Sequence, residues 1–192
     1  MKVRIHKILK NTKVEGPFTR YCIWFQGCSR HCKGCWAKDT WDFKGGFEID
    51  ADELLDDILA TKGIEGVTFL GGEPFEQPDT LIYLARSIKE PELGVVCFTG
   101  NRLEEIKRKD ILEYIDLLID GEFIEEEKDF SRPWVGSKNQ KYHFLTDRYN
   151  EKILTKYKNK VEINISKNGV ISINGMGDFE KMTKNLQMLY KH

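Results

Sequence analysis

Short, unbroken apolar runs constrain this chain more than any other feature. A strand with one wet face alternates apolar and polar residues, whereas Cys22-Ile23-Trp24-Phe25 and Val67-Thr68-Phe69-Leu70 are nearly continuous. Such runs suit strands buried on both faces of a sheet flanked by helices. Residues 18–25, 67–70, 94–99 and 117–121 are read as these strands. Between the first two, Leu54, Leu55, Ile58 and Leu59 recur at a helical period through Ala60, with Asp50 or Asp52 as cap and Gly63 as stop. Leu81, Leu84, Ala85 and Ile88 mark a second helix ending before Pro91, and residues 103–115 read as one helix or two. Strands alternating with helices at this spacing predict an α/β fold of parallel units joined by right-handed crossovers. A closed eight-unit barrel needs about 250 residues. The 192 residues here supply a partial, open parallel β/α barrel.

Chemistry in such folds gathers at the C-terminal ends of the strands. Four segments fall there: Cys28-Ser29-Arg30-His31-Cys32-Lys33-Gly34-Cys35, Gly71-Gly72-Glu73, Thr99-Gly100 and Asp120-Gly121. The first spaces three cysteines C-x3-C-x2-C in one loop. Iron–sulfur clusters are usually held by four thiolates, so a compact set of three implies a cubane with one iron open to another ligand. Zinc is the alternative, but it takes a closed tetrahedral shell, normally from paired C-x2-C arms, and there is no second pair. His31 lies between two of the cysteines, where its ring reaches the same metal with difficulty. Five cysteines are too few, and odd in number, for a disulfide framework. Cys22 and Cys97 lie within apolar runs and read as core thiols. His6 and His143 have no motif around them and receive no role.

These segments, with Trp41-Asp42-Phe43-Lys44-Gly45-Gly46, Pro74 after Glu73, Asp120-Gly121-Glu122-Phe123 and Gly136-Ser137-Lys138-Asn139-Gln140, occur in an order that resembles the radical S-adenosylmethionine (SAM) superfamily, and within it the activating enzymes of anaerobic (class III) ribonucleotide reductases. The resemblance covers roughly residues 1–145. It implies that Cys28, Cys32 and Cys35 hold a [4Fe-4S] cluster, that SAM binds its open iron, and that a glycyl radical is generated on a partner reductase with reduced flavodoxin or ferredoxin as electron donor. No catalytic residue is implied beyond cluster and SAM. Gly34, Cys35, Trp36, Gly71, Gly72, Glu73, Thr99 and Asp120 would form the cofactor site. Glycines at 71 and 72 would let backbone approach the methionyl end of SAM, or merely turn the chain after a strand, and Glu73 would offer a carboxylate to its ammonium; Thr99-Gly100 would contact SAM or simply start a helix. Trp36 would cover adenine or cluster, or simply pack; Asp120 would bond at the site mouth or stand as a strand-end acid. Two departures occur. Trp36-Ala37 replaces the family's His-Asn after the last cysteine, and Asn101 stands where a Thr-Gly-Tyr segment has tyrosine.

Residues 151–192 differ in character and form an expected extension to a core of residues 1–150. Val161, Ile163 and Ile165 alternate, Asn168-Gly169 signals a two-residue hairpin turn, and Val170, Ile171 and Ile173 continue beyond it. Asp178 would cap a last helix carrying Met182, Leu186 and Leu189. The extension is expected to dock on the barrel, with partner contact secondary. The net charge of −1 gives no overall reason to expect nucleic acid or membrane as partner. No stretch is apolar enough for a signal peptide or membrane span, so a reducing, cytoplasmic setting is expected. Two other functions stay open: activation of another glycyl radical enzyme or radical modification of a peptide or small molecule, and an electron-transfer iron–sulfur module without catalysis.

Overall fold

The computed structural model describes residues 1–169 and 171–178. Seven strands form one mixed sheet: β1 (Lys2–Thr12), β2 (Arg20–Phe25), β3 (Phe47–Asp50), β4 (Gly66–Gly71), β5 (Gly94–Phe98), β6 (Leu117–Asp120) and β7 (Lys141–Phe144), in the order β3-β1-β2-β4-β5-β6-β7. The four central strands, β2, β4, β5 and β6, run parallel, as their unbroken apolar runs require. The flanking strands β1, β3 and β7 pair antiparallel. Sequence reading missed β3 and β7, which are four residues each and lack an apolar run.

Helices α1 (Ala51–Ala60) and α2 (Pro78–Lys89) cover one face. Asp50 caps α1 by accepting from the Asp52 amide at 3.0 Å. Their buried stripes, Leu54 and Ile58 with Leu81, Leu84 and Ile88, pack on Val67, Phe69, Val95, Cys97 and Leu118. Each such side chain contributes about 1.5–3 kcal/mol by leaving water. Because strand side chains alternate, Val96, Leu117 and Ile119 point to the opposite face. Among the described residues no α-helix packs there. That face is covered by Trp134, Val135, Tyr149 and Ile153 from the chain around β7.

Residues 103–115 are not α-helical. They form two 3-10 turns, Leu103–Glu105 and Lys109–Tyr114. The apolar spacing breaks between Ile106 and Ile111, so no continuous helical stripe exists, and both residues reach the core from separate turns.

Arg20, the first residue of β2, is fully buried at the end of the sheet opposite the cysteine loop. Its guanidinium donates to Thr68 Oγ1, Glu65 Oε2, the Tyr149 hydroxyl and the carbonyls of Val67 and Gly94. One side chain thus binds the starts of β2, β4 and β5 and the segment after β7.

After β7 comes a hairpin, β8 (Val161–Ile165) with β9 (Ile171–Gly175). Pairing Ile163 with Ile173 and Ile165 with Ile171 centres the turn on Asn168, so it is longer than the two-residue turn expected. The hairpin's polar side faces the body. Asn174 Nδ2 donates to Thr12 Oγ1 at 3.1 Å, Thr12 Oγ1 to Glu162 Oε2, and the Gly175 amide to Glu15 Oε1. The four isoleucines are 42–71% exposed, so the expected burial of the apolar side on the body is replaced by polar docking. Val170 and the expected last helix from Asp178 through Met182, Leu186 and Leu189 lie outside the described residues, Asp178 itself excepted.

Candidate functional site

The loop after β2 is shaped by backbone bonds and left-handed residues. Gly27 N donates to Thr40 O at 2.7 Å, Cys28 N to Trp41 O at 3.2 Å, and Cys35 N to Cys32 O at 3.1 Å. His31 (φ 49°) and Gly34 (φ 73°) turn the chain between the cysteines. The His31 ring stacks on Trp41 with centroids 4.5 Å apart, and it does not line the cavity that the cysteines share. A ligand role for His31 therefore has no geometric basis. Ser29 and Lys33 tie the loop outward to Glu76 and Glu126.

Cys28, Cys32 and Cys35 line one cavity of about 150 Å3. Gly71, Gly72 and Glu73 from the end of β4 and Thr99-Gly100 from the end of β5 also line it. Trp41, Phe98 and Phe123 add apolar wall. A second cavity of about 320 Å3 adjoins it and shares Arg30 and Glu73. Burial pushes each of the three thiols up, and the neighbouring thiols add to the effect: Cys32 on Cys28, Cys35 on Cys32, Cys28 on Cys35. Backbone amides of Arg30 and His31 at Cys28, and of Phe123 at Cys32, work the other way. Three thiolates in such a place need cationic compensation, and this soft sulfur set suits iron. Among the described residues no three His, Cys, Asp or Glu side chains gather round one ion-sized point. Thiolates on a cluster bind different irons and have no need to do so, unlike a zinc shell at about 2.3 Å from one centre.

Glu73 is 3% exposed. Its Oε1 accepts from the Phe75 amide at 3.1 Å and the Thr99 hydroxyl at 2.8 Å, and Oε2 accepts from the Gly100 amide at 2.8 Å. Burial raises its pKa, and these donors with the Arg30 charge pull it down. Gly71 adopts φ 105°, and a Cβ there would lie 2.6 Å from Trp24 Cα; one on Gly72 would lie 2.4 Å from Gly27 O. The glycines thus serve the close approach of β4 to β2 and the cysteine loop.

Three expected site residues lie elsewhere. Asp120 turns away from the cavity: Oδ2 accepts from the Leu103 amide at 2.7 Å and stands 2.9 Å from His143 Nε2. That pairing also gives His143 the structural setting its sequence did not announce. Trp36 is half-exposed, and neither it nor Gly34 lines the cavity. A Cβ on Gly34 would lie 2.8 Å from Glu125 Oε1, so that glycine admits the segment after β6. The sequence singles out neither Thr40 nor Phe98 as a site residue and offers Arg30, Trp41, Phe123 and Gln140 only within longer motifs, whereas Gly100, with Thr99, is where a strand-end contact to SAM or a helix start is expected. Gln140 accepts from Gly136 N at 2.8 Å and donates to Gly121 O at 3.2 Å, holding the cavity edge.

A sheet with a parallel core carrying three cysteines on one loop beside a glycine-walled cavity suits an iron–sulfur protein, and the family model described as "4Fe-4S single cluster domain", which matches residues 14–143, places the chain among the single-cluster kind. Proteins named anaerobic ribonucleoside-triphosphate reductase-activating protein are similar over most of their own length. The Haemophilus influenzae protein is 34% identical over 140 residues, 68% of this chain and 90% of its own. That of Escherichia coli K12 is 32% identical, over 69% of this chain and 92% of its own. The enterobacteria phage T4 protein is 31% identical, over 70% and 89%. The chain belongs to this family of reductase-activating proteins.

Proposed function

We propose that this protein activates an anaerobic ribonucleoside-triphosphate reductase by cleaving SAM reductively at a [4Fe-4S] cluster and leaving a glycyl radical on its partner. The observation that carries this is that Cys28, Cys32 and Cys35 line one cavity together with Gly71, Gly72 and Glu73, in a chain whose relatives are named as activating proteins of that reductase. The three thiols hold the cluster. When bound, the cluster supplies the single electron that cleaves SAM, and so the radical chemistry passed to a glycine of the partner. Everything else is placement by the chain. Glu73, fixed by three donors, keeps lone-pair capacity on Oε2 for a ligand ammonium. Trp41, Phe98 and Phe123 keep water from the reacting region, and Gln140 closes its edge through Gly121.

Reduced flavodoxin or ferredoxin is the electron donor in this reading, and the cytoplasm the compartment, where the five free cysteines stay reduced. Among the described residues no helix is long and apolar enough to cross a membrane. The sheet is read as a partial, open β/α barrel of residues 1–150. Residues 151–192 are its extension, since the family match stops at 143.

Anaerobic reconstitution tests the reading. The chain should take up about four irons, convert SAM to 5′-deoxyadenosine when reduced, and yield a glycyl-radical signal on the reductase. Cys28→Ala, Cys32→Ala and Cys35→Ala should each abolish cleavage. Cys22→Ala and Cys97→Ala should keep it, and cluster loss in either would overturn the ligand assignment.

A further inference from the structure

Arg30 lies between two of the three cavity cysteines in sequence, and its side chain stands in the wall shared by the two cavities. Nη2 donates to Asn101 Oδ1 at 2.6 Å and to Glu105 at 3.3 Å, and Nε stands 3.9 Å from Glu73 Oε2. Asn101 Nδ2 donates onward to Thr99 Oγ1 at 2.9 Å, and that hydroxyl donates to Glu73 Oε1 at 2.8 Å. A continuous chain of bonds therefore joins the cysteine loop after β2 to the ends of β5 and β4. Gly100 makes room for it, since a Cβ there would lie 2.4 Å from Arg30 Cδ.

The relay depends on residue type. An amide side chain accepts at one atom and donates at another, so Asn101 can receive from a guanidinium and give to a hydroxyl at once. The tyrosine of the resembled Thr-Gly-Tyr segment has a single polar atom at the end of a longer ring. The loop's other charged tie is a weaker anchor: the side chain of Lys33 is 74% exposed and its partner Glu126 65%. Pairs of that kind contribute little. The Arg30 side chain is 24% exposed and reaches the strand ends themselves.

We propose that Arg30 is a positioning residue that, through Asn101 and Thr99, fixes the cysteine loop against Glu73 and so aligns the thiol wall of the cavity with the wall that receives SAM. The assignment rests on the function proposed above and deepens it. Arg30 acts through its neighbours, without touching the ligand.

The test uses the full chain, reconstituted anaerobically, as wild type, Arg30→Met, Asn101→Leu and the double variant. Iron content, SAM affinity by titration and the change SAM induces in the EPR spectrum of the reduced cluster are measured. Both single variants should keep wild-type iron and bind SAM at least tenfold more weakly, with the SAM-induced spectral change diminished. The double variant should be no weaker than either single one, as members of one network behave. Arg30→Lys, which keeps the charge without the fork, should recover little. Wild-type affinity in Asn101→Leu alongside loss in Arg30→Met would place Arg30 on the ligand and overturn the relay. Additive losses, or iron lost from Asn101→Leu, would overturn it too. Should Arg30→Met not fold, Asn101→Leu decides by the same readouts. Wild-type chain unable to bind SAM would remove the proposed function and this assignment together, whereas normal wild-type binding with any other variant pattern removes the assignment alone.

Discussion

Gly72→Ala separates two accounts of why a glycine stands at that position. If it only makes space for SAM, alanine weakens the ligand and leaves the protein untouched. The structure assigns a different cost. The added Cβ would lie 2.4 Å from Gly27 O, 3.0 Å from Gly27 C and 3.1 Å from Phe25 O, all backbone atoms. Relief requires the Gly27 carbonyl to move by several tenths of an ångström, yet that carbonyl accepts the Glu73 amide at 2.9 Å, and Gly72 N is bonded to Phe25 O at 2.8 Å. Overpacking costs about 1–3 kcal/mol, and weakening the two bonds adds about 1 kcal/mol. A total of about 2–4 kcal/mol in a chain of this size lowers the thermal midpoint by roughly 4–16 °C. Because Gly27 immediately precedes Cys28, iron retention should fall with it. Differential scanning fluorimetry of the unreconstituted chain and iron per chain after anaerobic reconstitution read both effects. A Gly72→Ala protein with wild-type midpoint and iron, deficient only in SAM binding, would refute this reasoning and restore the ligand-space account.

Two further outcomes follow from the hairpin. Burial lifts Glu15 from its ordinary 4.5 to about 7, opposed by the Gly175 amide, Asn174 and the Lys7 charge and assisted by Glu162. A carboxyl with a raised folded pKa contributes stability that is fully present below its unfolded value and is lost as pH rises through the folded one. The thermal midpoint should therefore drop between pH 5 and pH 8, and Glu15→Gln should flatten that slope; a flat wild-type profile would refute it. Deleting residues 151–192 removes Ile153 from the apolar cover of the sheet, worth about 1.5–3 kcal/mol, together with the docking bonds to Thr12 and Glu15, each worth about 1 kcal/mol, and should lower the midpoint by several degrees. Full stability with only weakened activation of the reductase would show that the extension serves the partner instead.

The parallel core was legible because burial on both faces leaves an unbroken apolar run, as at residues 67–70, and amphipathic helices leave a 3.6-residue stripe. The antiparallel flanks were not: Phe47–Asp50 and Lys141–Phe144 are short and half-wet, and their pairing is decided by long-range register. Thiols announce themselves by spacing, so Cys28, Cys32 and Cys35 could be placed on one wall from sequence. Asp120 could not be oriented, since a strand-end position is compatible with pointing at the cavity or at Leu103 and His143. Arg30 escaped notice for a similar reason. Its partners lie 71 and 75 residues away, and only the fold brings Asn101 and Glu105 to it.

The Arg20 knot at the far end of the sheet has a consequence for the protein's life with oxygen. Its five acceptors and the apolar clusters on both faces of the sheet hold the strands together without drawing on any of the three loop cysteines. The frame is thus expected to fold before iron arrives and to outlast its loss. A chain stripped of its cluster should then keep its sheet and take up iron again on anaerobic reconstitution, without new synthesis.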